Sequence, residues 1–152
     1  MSASVRMIVL AIVGASLLTV AAGCGKPSLT TLKGQVKLNG QPAAKCKVAL
    51  FPDVSEFNPE KHGFGYGICD ENGNYEIQHP QGEKGIFPGT YKVTFVLWVD
   101  NKGKILPPDT KPSEVTGGVK NKFPDKYEKL ALTPERVTVP SGGTTKDFDI
   151  SG

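Results

Sequence analysis

Three sets of residues in this chain have the types and spacing to do chemistry. Cys46 and Cys69 form the first. In an oxidising compartment such a pair can bridge, closing a loop of about 23 residues worth roughly 3.5 kcal/mol in the chain-entropy picture. Cys46 falls on the inward side of an alternating run, whereas Cys69 ends the next run with parity opposite to Ile68. The spacing therefore leaves a disulfide and two separate thiols both open. No histidine or acid stands at a zinc-binding interval from either cysteine. The second set, Asp70, Asn72 and Asn74, has the oxygen spacing that opens a calcium loop. Gly73 occupies the fourth place instead of the sixth, and no glutamate stands at the twelfth, so a β-turn accounts for it. The third set is aromatic. Phe57, Phe64 and Tyr66 gather near Asn58 and His62, and Trp98 lies off the main apolar stripe of its strand. Exposed flat rings beside amides suit a sugar, because rings stack on carbohydrate faces while amides bond hydroxyls. The alternating pattern favours the other arrangement, with Phe64 and Tyr66 in the core and Trp98 packed under the segment that follows it.

Other chemistries find no footing. His62 and His79, with Tyr66 and Tyr75 between them, have the residue types of a two-His, two-Tyr iron site but no close His pair. No Gly-x-Ser-x-Gly elbow is present, and Gly117-Gly118 and Gly142-Gly143 lack the Lys-Ser/Thr that completes a phosphate loop. Asp147 and Asp149 share one strand face and read as a solvated edge that discourages aggregation.

The chain has 152 residues. Arg6 precedes an apolar run from Met7 to Ala22, which ends in Val20-Ala21-Ala22-Gly23-Cys24-Gly25. This segment is similar to a bacterial lipobox, with Ala21 where leucine is usual. It predicts export, cleavage after Gly23 and acylation of Cys24. Two or more acyl chains would hold the protein stably on a membrane, placing it in the cell envelope outside the cytoplasm. What remains is about 129 residues, enough for one domain with a single core. A net charge of +3 provides no electrostatic footprint for nucleic acid. With 18 Gly and 12 Pro, the composition suits turns between short strands.

Those strands are legible as a two-residue period. Leu32, Val36 and Leu38 share a face with Gly34, and Asn39-Gly40 predicts a tight hairpin. Cys46, Val48 and Leu50 point inward until Pro52 closes the run. Phe64, Tyr66 and Ile68 alternate with Gly65 and Gly67, and Tyr75-Glu76-Ile77 follows the Asp70–Asn74 turn. Tyr91, Val93, Phe95, Leu97 and Val99 make the strongest stripe. Residues 100–122 read as a long mobile loop, and Val137, Val139, Phe148 and Ile150 complete a final hairpin. No sustained helical period appears after residue 24.

Leu32-Lys33-Gly34-Gln35-Val36-Lys37-Leu38-Asn39-Gly40-Gln41-Pro42 and Val48-Ala49-Leu50-Phe51-Pro52 resemble the opening of carboxypeptidase regulatory-like domains, also described as transthyretin-like. The likeness continues through Asp70–Tyr75, Phe87–Val93, Phe123–Tyr127 and Asp147–Ile150. Short bacterial lipoproteins built from one such domain are similar in length and order. The resemblance implies an all-β fold, a seven-stranded Ig-like or prealbumin-like β-sandwich, with an accessory or binding role and no catalytic residues. The hydroxyisourate hydrolases of this group end in Tyr-Arg-Gly-Ser, whereas this chain ends Asp149-Ile150-Ser151-Gly152. The expected organisation is a signal peptide at 1–23, a tether at 24–30 and the sandwich domain at 31–152. The expected function is non-enzymatic, without metal or cofactor. It is a structural or adhesive role in the envelope, through the lipid on Cys24 and a protein or glycan partner. The alternative is a carbohydrate- or peptide-binding module using Phe57, Tyr66 and Trp98.

Overall fold

Residues 25–152 are described by the structure, a computed structural model; the expected signal peptide and the lipidation residue Cys24 lie outside the described residues. Alternating apolar and polar side chains build β1 (Leu32–Leu38), which buries Leu32, Val36 and Leu38. Asn39 and Gly40 then take positive φ angles of 53° and 76°. That geometry matches the twist of the flanking strands, so the chain reverses into β2 (Gln41–Pro42) with Leu38 opposite Gln41. There follow β3 (Lys47–Pro52), β4 (Gly65–Ile68), β5 (Asn74–Glu76), β6 (Gly89–Val96), β7 (Trp98–Asp100) and β8 (Val119–Asn121). The one-turn helix α1 (Asp125–Glu128) precedes β9 (Arg136–Val139), β10 (Thr144–Thr145) and β11 (Phe148–Ile150).

The architecture is all-β, as the alternation predicts, with the strands divided among three sheets. In the first, β1 is flanked on one side by β2 and β5, antiparallel, and on the other by β10 and β11, parallel. β10 and β11 keep a single register against β1, and the break between them falls at Lys146 and Asp147. There the Asp147 carboxylate substitutes for a backbone acceptor, taking the Gln35 N–H at 2.8 Å. Gly34 is obligatory at this point, because a Cβ would collide with the Lys146 carbonyl. The second sheet has the order β4-β3-β6-β9, all antiparallel. Side chains from both sheets fill one core, in which Phe95 packs on Phe148, Phe123 and Tyr127 with ring centroids 5.0, 5.5 and 6.4 Å away. Helix α1 exists to deliver Tyr127 to this cluster; Phe123 and Tyr127, four apart, are its only apolar signal in the sequence.

The third sheet corrects the expectation of a structureless loop at 100–122. β7 and β8 pair as a ribbon, with Trp98 opposite Asn121. Asp100 initiates a separate tight turn on the other edge of β7, where Val99 bridges Ile105 and Leu106 N–H donates to the Trp98 carbonyl at 2.8 Å. Its carboxylate accepts the N–H groups of Lys102 and Lys104, both at 2.9 Å, while its own N–H donates to the Lys104 carbonyl. Asp70 does the same with Asn72 and Asn74. One Asp-x-x-Gly device thus builds two hairpins, and its second copy was visible in the sequence. Among the described residues no helix is long and apolar enough to cross a membrane.

Candidate binding face

The outward surface of β3 and β4 carries the candidate site, and glycine puts it there. A Cβ on Gly65 would lie 2.6 Å from Ile77 Cγ2 and 2.8 Å from Ile86 Cδ1, and one on Gly67 would lie 2.8 Å from the Glu76 carbonyl oxygen. Only glycine fits on the inward side of β4, so the alternating pleat turns Phe64, Tyr66 and Ile68 to the outside. This overturns the expectation that Phe64 and Tyr66 belong to the core: Phe64 is 44% exposed and Tyr66 half-buried. Across the ladder Ala49 lies opposite Tyr66, and Phe51, on the same outward parity, comes beside Phe64. The Phe51 and Phe64 rings meet edge to face at 5.9 Å.

The segment between β3 and β4 folds back over these rings. Phe57 stacks on Phe64 with centroids 5.3 Å apart and planes 27° from parallel, yet stays 50% exposed. His62 closes the other side at 6.0 Å from Phe57. The loop is held by its own backbone: Asn58 N–H donates to His62 Nδ1 at 2.9 Å, and Asn58 Oδ1 accepts from Glu60 N–H at 2.8 Å. Its start is pinned by Asp53, which accepts a 2.8 Å bond from Arg136 Nε and lies 3.7 Å from Lys92 Nζ. Lys47 sits over the Tyr66 ring at 5.4 Å. The result is a row of aromatic faces rimmed by Lys47, Lys92, Arg136, Asp53 and Asn58. Beside it, a cleft of about 380 Å³ is lined in part by Val54, His62, Pro88 and Tyr91.

Of the three rings singled out from sequence, the structure places Phe57 and Tyr66 on this surface and sets Trp98 apart. Val96 pairs with Lys47, so Trp98, two residues further, lies past the end of the face opposite Phe51. It is half-buried in the β7–β8 ribbon. Phe51, Lys47 and Asp53 were not anticipated. The parity of Phe51 and Lys47 against Val48 and Leu50 was the available signal.

The remaining candidates have structural partners. The Asp70 carboxylate accepts three hydrogen bonds from Asn72 and Asn74, and the Asn74 backbone bond foremost holds it below the usual carboxylate range. Tyr91 donates to the Phe87 carbonyl at 2.6 Å, and burial pushes its hydroxyl up to about 12; Tyr75 donates to the Lys146 carbonyl at 2.6 Å. Among the described residues no three His, Cys, Asp or Glu side chains come together as a metal set. Cys46 and Cys69 are buried free thiols on the core side of β3 and β4.

No family model and no curated protein matches this chain. Two solved structures are similar to it. One is a candidate carbohydrate-binding protein from Pseudomonas aeruginosa, 16% identical over 84% of this chain and 92% of that one, with a TM-score of 0.42. The other is a 9R-lipoxygenase from Cyanothece, also 16% identical, over 81% of this chain and 16% of that one, with a TM-score of 0.33. The domain stands as an all-β structure with an outward aromatic face, and its function has to be argued from that face.

Proposed function

We propose that this chain is a non-catalytic carbohydrate-binding module of the cell envelope. It is a prealbumin-like β-sandwich of the carboxypeptidase regulatory-like kind, exported and anchored through an acylated Cys24. The observation that carries the reading is the outward stack of Phe57, Phe64 and Phe51. Large apolar rings left half exposed in a contiguous patch mark an interaction surface, because each forgoes about half of the ~1.5–3 kcal/mol that full burial brings. The core is filled without them. Flat rings offer a sugar its apolar face, and the rim of Lys47, Asp53, Asn58, Lys92 and Arg136 offers donors and acceptors for hydroxyls. A scaffold with no partner gives these rings no task.

Screening the purified chain against immobilised glycans tests this reading. At least one glycan class is expected to be retained, with Phe57→Ala and Phe64→Ala each weakening it about tenfold or more. Retention unchanged in both variants would remove the aromatic face from the function.

A further inference from the structure

We infer that Cys46 and Cys69 join in a disulfide across β3 and β4 when the chain folds in an oxidising compartment, and that this bond fastens the strand carrying the aromatic face. The inference depends on the export expected from residues 1–23 and is independent of the ligand. Its ground is register. Lys47 pairs with Ile68, and continuing that ladder by one residue sets Cys46 directly against Cys69. Two backbone bonds lock the pair: Cys69 N–H donates to the Cys46 carbonyl at 2.8 Å, and Lys45 N–H donates to the Cys69 carbonyl at 3.0 Å. Lys45, with φ of 63°, is the extra residue of a bulge that lets both bonds form opposite one residue. Opposed positions on antiparallel strands hold their Cα atoms about 4.5–5.5 Å apart, within the span a disulfide bridges without moving the backbone. Both side chains turn to the core, where Cys46 is 0% and Cys69 3% exposed, so no outside thiol competes for them in the folded state.

The bond would matter because β4 lies at the edge of its sheet. Among the described residues, its outer side takes only the Tyr66–Gln78 bridge. A covalent tie at its end to β3 limits fraying of the strand that presents Phe64 and Tyr66. Burial, and after it the neighbouring Cys69, raise the Cys46 thiol well above its ordinary range, so in the folded state little thiolate is present to start exchange. Oxidation therefore belongs to the folding chain. One cysteine thiolate attacks a small-molecule or protein disulfide and releases one of its sulfurs as a thiol. The second cysteine then displaces the other sulfur from the mixed disulfide. The two cysteines lose two electrons and two protons, and the oxidising disulfide becomes two thiols.

The full chain, unfolded and refolded in a buffer of oxidised and reduced glutathione, would be denatured, alkylated without reductant and mapped by peptide mass. A linked Cys46–Cys69 peptide two hydrogens lighter than the dithiol is expected, with Cys69 alkylated in Cys46→Ser. Amide exchange across Gly65–Ile68 is expected to be at least tenfold slower in the oxidised protein than after reduction. Alkylation of both cysteines in the wild-type chain, or pairing of either with Cys24, would overturn the bond. Equal exchange in the two forms would overturn its role in fastening β4.

Discussion

Lys45 holds a φ of 63°, a left-handed conformation that disfavours any residue with a Cβ. Its side chain is exposed and makes no hydrogen bond or ion pair among the described residues, so the position asks for backbone freedom alone. Lys45→Gly is expected to raise stability to urea by up to about 1 kcal/mol, the relief of left-handed strain less the added freedom of the unfolded chain. A loss of stability would show that the lysine side chain contributes more than its backbone costs. Asp70 and Asp100 act at the same scale. Backbone bonds from Asn74 and Lys104, respectively, depress their carboxyls below the ordinary range. Each then supplies stability that is complete above the unfolded carboxylate value of about 3.9 and fades as pH falls through the lower native value. The expected outcome is an acid limb below about pH 4 that flattens in the Asp70→Ala, Asp100→Ala double variant. An unaltered limb in that variant would assign acid unfolding to other carboxylates.

At the scale of elements, β4 shows where a sequence pattern runs out. The period of two was plain across Phe64–Ile68, but two facing sets, one of large rings and one of glycines, compete for the core. Apolarity alone favours the rings. The outcome is decided by Ile77 and Ile86, which already fill the space under Gly65, and by the Glu76 carbonyl under Gly67, and nothing local announces that. Gly65→Ala is therefore expected to destabilise the protein by about 1–3 kcal/mol in urea titration, since overpacking must displace one of the isoleucines. The β1–β2 hairpin, by contrast, was fully legible, because Asn39-Gly40 encodes its own turn. The region around Trp98 was half legible: the Asp100 turn, which leads into the Val99–Ile105 bridge, repeats the Asp70 spacing, but β8 is held through Asn121. Its side chain accepts from Leu97 and Phe123 N–H and donates to the Phe95 carbonyl and to Glu128. Asn121→Ala is expected to cost about 1–3 kcal/mol and to shift the emission of Trp98 to the red as the ribbon loosens. Unchanged fluorescence would mean the ribbon holds without this hub.

For the molecule as a whole, the core predicted from alternation is the core observed in β1, β3, β6, β9 and β11, whose inward residues pack around Phe95. The opposition of Cys46 and Cys69 was not legible, because it follows from the face of β4: with Gly65 and Gly67 inward, Cys69 shares their parity and turns to the core. Cys46 and two tyrosines bear on the alkaline behaviour. In the thiol form Cys46, raised mainly by burial, gives stability that is whole below the unfolded thiol value of about 8.5 and declines as pH climbs toward the native value. Tyr75 and Tyr91 are raised by burial too, so their contribution begins to decline only above about pH 10. Oxidation is expected to move the onset of alkaline destabilisation from the first of these values to the second. The same onset in both forms would show that Cys46 is not the titrating group. The central claim concerns the outward face of β3 and β4, and amide chemical-shift mapping tests it most directly. The labelled chain would be titrated with a panel of soluble cello-, chito- and manno-oligosaccharides. The account expects at least one sugar to shift amides of residues 47–51 and 57–68 in a saturable way, with the shifts lost in Phe57→Ala. Saturable shifts centred elsewhere, or none across the panel, would contradict it.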